Sequence, residues 1–280
     1  MQLILKHFRG ITRFTQLLLH IVKGLLQLYW LLYRRGSSWH KTTDGLDTIS
    51  AWMQQLIVIF NITVTRHGYP ARSCVTQPST LLLCNHISWL DIIIISSMTH
   101  VKFVSKDDLL YWPCIGKLAK NSGTLFLDRK NKFALRVMLK QVQASLENGL
   151  DVLIFPEGTT TNGKSVSTFR NGLIQAAINS HCQTQTVTLQ YFRDGKYCAL
   201  SPYINNDTFL AHAYRLLCET GTAVTVHFDI PRRASGRQRL DIARQAREKI
   251  LDNIHNPFKS HASLLTTHNS KLDNREIIGQ

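Results

Sequence analysis

The stretch CNHISWLD, residues 84 to 91, sets a histidine five residues ahead of a carboxylate, directly behind the apolar run STLLL. A carboxylate beside an imidazole fixes the ring's tautomer and stabilises the imidazolium, which suits His86 to take a proton from a hydroxyl. Residues five apart do not share a helix face. His86 and Asp91 therefore meet only if His86 precedes a helix and folds back over its first turn. A plainer reading competes: Ser88 and Asp91 fit S-x-x-D, a helix cap answered by a carboxylate, which leaves His86 an ordinary loop histidine. Two other stretches carry chemistry. GTLFLDRKNK ends an apolar run in Asp128, Arg129, Lys130 and Lys132, where an arginine suits bidentate phosphate binding or a surface ion pair. DVLIFPEGTTTNGKS ends another in Pro156, Glu157 and Gly158, followed by hydroxyls; the proline stops the strand and the glycine admits a close approach.

From about residue 62 the texture is α/β. β-rich apolar runs at 79 to 84, 101 to 104, 123 to 127, 151 to 155, 184 to 191 and 222 to 230 alternate with helical periods. Residues 88 to 98 read as a helix. NKFALRVMLKQVQASLENG places Phe133, Val137, Met138, Val142 and Leu146 on one face, with Gly149 as a stop. GRQRLDIARQAREKILDNI places Leu240, Ala243, Ile250, Leu251 and Ile254 opposite a basic face. The expected fold is α/β: a central, mostly parallel or mixed sheet flanked by helices. If the strands before the three chemical stretches are parallel, a base, a cation and a carboxylate converge at one sheet edge. The expected organisation is a helical membrane-associating region over residues 1–61, an α/β domain over 62–256 and a polar tail over 257–280.

Charge and the N-terminus narrow the partners. The 280 residues hold 33 Lys and Arg against 18 Asp and Glu, a formal +15 that favours anionic surfaces or phosphorylated substrates. The cations are dispersed, with no helix-turn-helix, zinc or RNA-binding signature, which argues against nucleic acid. The six cysteines lack C-x-x-C spacing and read as reduced thiols of a chain facing the cytosol, without a metal. Residues 11 to 33 are largely apolar, with Arg13, Gln16, His20, Lys23 and Gln27, continued by Arg34, forming a narrow polar stripe at helical spacing. Such a helix suits in-plane or hairpin attachment to a membrane, with Tyr29, Trp30 and Tyr33 as interfacial aromatics and residues 48 to 60 as its partner.

In order, NHISWLD at 85 to 91, GTLFLDR at 123 to 129 and FPEGTT at 155 to 160 resemble the first three blocks of the glycerolipid acyltransferases. The likeness is to bacterial 1-acylglycerol-3-phosphate acyltransferases and the related enzymes that acylate lyso-ornithine lipid, over roughly residues 60 to 230. It implies that His86 is the general base and Asp91 its orienting partner, and that Arg129 holds the phosphate of a lysophospholipid acceptor. It implies further that Glu157 and Gly158 shape the acceptor pocket and that Thr159 and Thr160 add hydrogen bonds. Arg170, in FRNGL, is a second phosphate candidate. The implied reaction moves an acyl group from acyl-CoA or acyl carrier protein to lysophosphatidate at the inner membrane, facing the cytoplasm, with no cofactor. The alternatives are acylation of lyso-ornithine lipid and a non-catalytic lipid-binding membrane protein. Two residues depart from the family pattern: Thr160 where many relatives carry arginine, and Thr186 where a proline is expected. If Arg129 serves a phosphate, Arg129→Ala raises KM for a phosphorylated acceptor and leaves a phosphate-free one unaffected; steady-state kinetics with both acceptors checks this.

Overall fold

The computed structural model describes residues 1–71, 78–112, 114–127, 133–205 and 207–256. The chain opens with α1 (Gln2–Arg35), a 3-10 turn over Gly36–Lys41 and α2 (Thr43–Ile59). It continues through β1 (Ile62–His67), β2 (Thr80–Cys84), α3 (Leu90–Ser96), β3 (Val101–Lys106), α4 (Ile115–Asn121), β4 (Leu125–Leu127), α5 (Ala134–Glu147) and β5 (Asp151–Ile154). It closes with α6 (Ile174–Asn179), β6 (Gln183–Arg193), β7 (Lys196–Tyr197), α7 (Phe209–Cys218), β8 (Thr222–Phe228), β9 (Arg232–Arg233) and α8 (Arg239–His255).

The strands form one sheet in the order β1-β8-β6-β2-β5-β3-β4, with β7 and β9 paired to β6. β6, β2, β5, β3 and β4 run parallel, while β8 is antiparallel to β6 and β1 runs with β8. β2 lies at the middle and is buried on both faces, which is why its sequence, TLLLC, is apolar without alternation. Leu82 and Cys84 pack on one side with α2, α3 and α7; Leu81 and Leu83 pack on the other with α5, α6 and α8. The sheet is thus sandwiched by helices, and the strands β2, β4 and β5 end at the same edge. Residues 128–132, including Asp128 and Arg129, lie outside the described residues, as does the tail 257–280.

Two helical stripes are narrower than periodicity suggests. On α5 the buried line is Met138, Val142 and Leu146, with Val137 exposed well round the helix and Phe133 exposed at the N-cap. On α8 it is Ile242, Ala243, Ala246 and Ile250, while Leu240 is exposed. Spacing tells which residues share a face; the width of what covers that face decides how many are buried.

Among the described residues α1 is the one helix long and apolar enough to cross a membrane, by length and composition alone. Its polar stripe is split by packing. Arg13 reaches the carbonyls of Leu217 and Glu219 at 3.2 and 2.6 Å, and Arg9 that of Cys218 at 3.1 Å, so two guanidinium groups cap the carboxyl end of α7. His20 is buried and stacks on Trp52 of α2 with ring centroids 4.6 Å apart. Gly24 makes that crossing possible, since a Cβ there would stand 2.5 Å from the Trp52 indole nitrogen. Gln16, Lys23 and Gln27 stay exposed, as do the apolar Phe8, Ile11, Leu18, Leu19, Val22 and Leu26. The narrow polar stripe expected from the sequence is therefore divided: Arg13 and His20 turn into the protein, while Gln16, Lys23 and Gln27 stay outside beside an exposed apolar face. An anchor working through that face predicts that Phe8→Ser, Leu19→Ser and Leu26→Ser together weaken binding to anionic vesicles about tenfold or more while moving Tm by no more than about 2 °C. Flotation and thermal melting check this.

Candidate active site

β2 ends at Cys84, and the chain turns away from the sheet over residues 85–88 before α3 begins. Asn85 closes the strand with its side chain: its amide donates to the Leu189 carbonyl at 3.0 Å and its oxygen accepts from the Leu189 N–H at 2.8 Å. His86 then follows at the sheet's carboxyl edge. Its backbone N–H donates to Glu157 Oε1 at 2.9 Å, and its carbonyl accepts from Thr161 N–H at 2.8 Å. The loop after β5 thus holds this residue from both sides.

His86 Nδ1 lies 2.7 Å from Asp91 Oδ2. The same oxygen accepts from the N–H groups of Ile87 and Ser88 at 2.7 and 3.0 Å. An oxygen collecting donors is an acceptor, so Nδ1 carries the proton and Nε2 is left as the basic atom. Tyr191 from β6 donates to Asp91 Oδ1 at 2.6 Å. Asp91 is fully enclosed, whereas the His86 side chain keeps 18% of its surface open, so the ring reaches solvent and its partner does not. Phe155 covers one face of the ring, with centroids 3.9 Å apart and planes 13° from parallel. The capping motif and the dyad are the same structure: Asp91 answers the Ser88 N–H as a capping carboxylate would, and also holds the imidazole. The Ser88 hydroxyl takes no part and has no partner.

The other sequence candidates are placed as follows. Glu157 is buried, its oxygens engaged by the N–H groups of His86 and Ser167, both at 2.9 Å. Burial pushes its carboxyl pKa up, against the pull of those two hydrogen bonds. Gly158 has φ 72, and a Cβ on it would stand 3.1 Å from the Arg170 guanidinium carbon. The exposed Arg170 thus lies across that glycine, while its backbone N–H donates to the Pro156 carbonyl at 2.8 Å. Thr159 is exposed; the Thr160 hydroxyl donates to the Tyr203 carbonyl. Arg129 lies outside the described residues. Cys84 is buried with its pKa pushed well up by burial and by Asp91, which leaves it a neutral packing residue. No cluster of three His, Cys, Asp or Glu placed for a metal occurs among the described residues.

Sequence reasoning missed Tyr191, Phe155 and Asn85 as parts of the site. Asn85 carried a signal, a short amide closing an apolar strand; Tyr191 carried none, being 100 residues from Asp91. An apolar cavity of about 250 Å³ lies between α1, α2 and α3, lined by Leu28, Trp52, Leu56, Trp89, Ile93 and Phe103 among others. Phe103 stacks on Phe155 at 6.4 Å, which brings the cavity wall up to the dyad.

An imidazole held by an enclosed carboxylate at the carboxyl edge of a parallel sheet is an arrangement that can take a proton from a hydroxyl, and the nearby cavity has an apolar lining. The chain belongs to the acyltransferase family, whose model matches residues 62–190. It is 33% identical over 245 residues to the lyso-ornithine lipid O-acyltransferase of Pseudomonas aeruginosa, covering 86% of this chain and 92% of that one. It is also 33% identical over 124 residues to a 1-acyl-sn-glycerol-3-phosphate acyltransferase of Neisseria gonorrhoeae, 44% of this chain and 49% of that one. The fold matches the crystal structure of the 1-acyl-sn-glycerophosphate acyltransferase PlsC of Thermotoga maritima, with a TM-score of 0.68, 17% identity, and 91% and 97% of the two chains covered.

Trp89, inside the NHISWLD block, is braced from outside. Its indole N–H donates to His212 Nδ1 at 3.0 Å, and His212 Nε2 faces the Pro202 carbonyl at 3.1 Å. That pattern admits only the neutral imidazole, and burial, then Arg215, lowers the His212 pKa. A lowered folded pKa contributes stability that is complete above the ordinary 6.5 and is lost as pH falls through and below it. His212→Gln, which keeps an acceptor and a donor, should therefore flatten the fall in Tm between about pH 7 and about pH 5. Equal slopes for variant and wild type would show that His212 is not the group responsible.

Proposed function

We propose that the protein moves a fatty acyl group from an acyl thioester, carried by coenzyme A or acyl carrier protein, to the free hydroxyl of 1-acylglycerol-3-phosphate, giving phosphatidate for phospholipid synthesis. The observation that carries this reading is the dyad, in which an enclosed carboxylate fixes the tautomer of a solvent-reaching imidazole. His86 Nε2 takes the acceptor's hydroxyl proton, and the oxygen attacks the thioester carbonyl. The tetrahedral adduct then expels the thiolate, which recovers the proton from the imidazolium. No acyl-enzyme is needed, and Cys84 is not used. Arg129 and Arg170 hold the acceptor's phosphate, around a pocket shaped by Glu157 and Gly158 with hydrogen bonds from Thr159 and Thr160. An acyl chain occupies the apolar cavity. The enzyme works at the cytoplasmic face of the inner membrane, anchored by α1.

A second acceptor, lyso-ornithine lipid, is favoured by one observation in particular: the Pseudomonas aeruginosa relative of that name aligns along most of both chains. Thr160 points the same way, since it stands in place of an arginine and its hydroxyl is already bonded to Tyr203. Acyl transfer measured in vesicles with each acceptor separates the two. In His86→Ala, turnover should fall by about 10²- to 10⁴-fold with either. Wild-type activity should decline as pH falls through protonation of the imidazole. Equal rates in mutant and wild type would sink the general-base role, and transfer to lyso-ornithine lipid alone would keep the mechanism and replace the acceptor.

A further inference from the structure

Asp91 is enclosed, and its two oxygens are loaded unequally. Oδ2 takes His86 Nδ1–H and two backbone N–H groups, all within 3.0 Å, whereas Oδ1 takes Tyr191. Without that phenol, one oxygen would hold every donor and the other none. Rotation about the Cβ–Cγ bond would then be resisted from one side only. With it, each oxygen is committed and the carboxylate plane is fixed.

Tyr191 is itself held firmly. It is 2% exposed, pairs with Val224 across β6 and β8, and accepts the Cys198 N–H on its carbonyl at 2.9 Å. Burial, then the negative charge of Asp91, pushes the phenol pKa well up, so the hydroxyl stays protonated and can only donate to the carboxylate. A 2.6 Å O–H···O⁻ contact is in the range of strong, charge-assisted hydrogen bonds.

Building on the general-base reading above, we propose that Tyr191 is a positioning residue for the acyl-transfer base: its hydroxyl orients Asp91 and draws off part of the carboxylate's charge, setting how strongly Asp91 favours the His86 imidazolium. The sign follows from electrostatics. Removing the donor leaves more negative charge facing the ring, favours the imidazolium, and moves the loss of activity to higher pH. A stronger donor does the reverse. The other titratable groups around the pair are Glu157 beyond β5, the Cys84 thiol at the end of β2, the Cys198 thiol after β7, and Tyr203 and His212 behind Trp89. All of them are present in every form compared, and the Cys84 and Cys198 thiols also feel the Tyr191–Asp91 pair.

The experiment measures pH profiles of kcat and kcat/KM for acyl transfer, with whichever acceptor wild type uses, in full-length wild type, Tyr191→Phe, and protein carrying 3-fluorotyrosine at position 191. The fluorophenol is nearly isosteric and a stronger donor, so it serves even if the phenylalanine form folds poorly. Tyr191→Phe should lower kcat roughly tenfold with both KM values within about twofold, and raise the midpoint of the acid limb by about half a pH unit. The fluorinated protein should move that midpoint downward. Opposite displacements support the role. An acid limb that stays in place in both forms overturns it, whatever happens to Tm, because a merely structural phenol would alter stability without moving the profile. A wild-type profile with no acid limb overturns the general-base reading, and the Tyr191 role with it.

Discussion

A carboxylate with no exposed surface is the constraint on which the rest depends. Stripping Asp91 of water costs several kcal/mol unless donors replace the lost hydration. Four do: an imidazole, two backbone N–H groups and a phenol. Each comes from a different structural commitment. The backbone pair requires a tight turn before α3, the imidazole requires that turn to begin where β2 stops, and the phenol requires β6 to lie alongside β2. Moving any of these elements would leave charge uncompensated in the core, so the geometry around His86 and the topology of the sheet are tied to one group.

The parallel arrangement of β2 and β5 does the other half of the work. Because the two strands run the same way, the loop after β5 comes back over the loop after β2, and Glu157 and Thr161 secure the backbone of His86. Phe155, in the same loop, lies on the ring. The N-terminal helices then lean on the opposite side of α3, where Ser50 and Gln54 of α2 donate to the carbonyls of Ser96 and Ser97 at 2.9 and 3.0 Å. The apolar cavity is therefore walled by the N-terminal helices on one side and by neighbours of the site on the other.

What the sequence disclosed and what it withheld follow from the range of each interaction. The His86–Asp91 pairing was legible because five residues and one turn contain it. The edge where the loops gather was legible because apolar strand runs alternating with helical periods leave few topologies. Tyr191 was not legible, since nothing near it marks a phenol bound to a carboxylate 100 residues away. α1 shows the limit differently. Periodicity grouped Arg13 and His20 with Lys23 and Gln27, yet packing on α7 and Trp52 took the first two and left the others outside. Of the alternative cap at Ser88, the backbone N–H contact to Asp91 is present and the hydroxyl contact is not.

His86 is fastened by residues remote from it in the sequence. Its backbone is secured by residues 71 and 75 positions further along, and its carboxylate partner by one a hundred further on. Local structure alone cannot assemble this centre; loops of that length must close first, at an entropic cost that only the completed sheet offsets. A nascent or partly unfolded chain would carry the NHISWLD segment intact and still lack this arrangement. The His86–Asp91–Tyr191 arrangement is therefore a mark of native topology, present only when β2, β5 and β6 have all found their places.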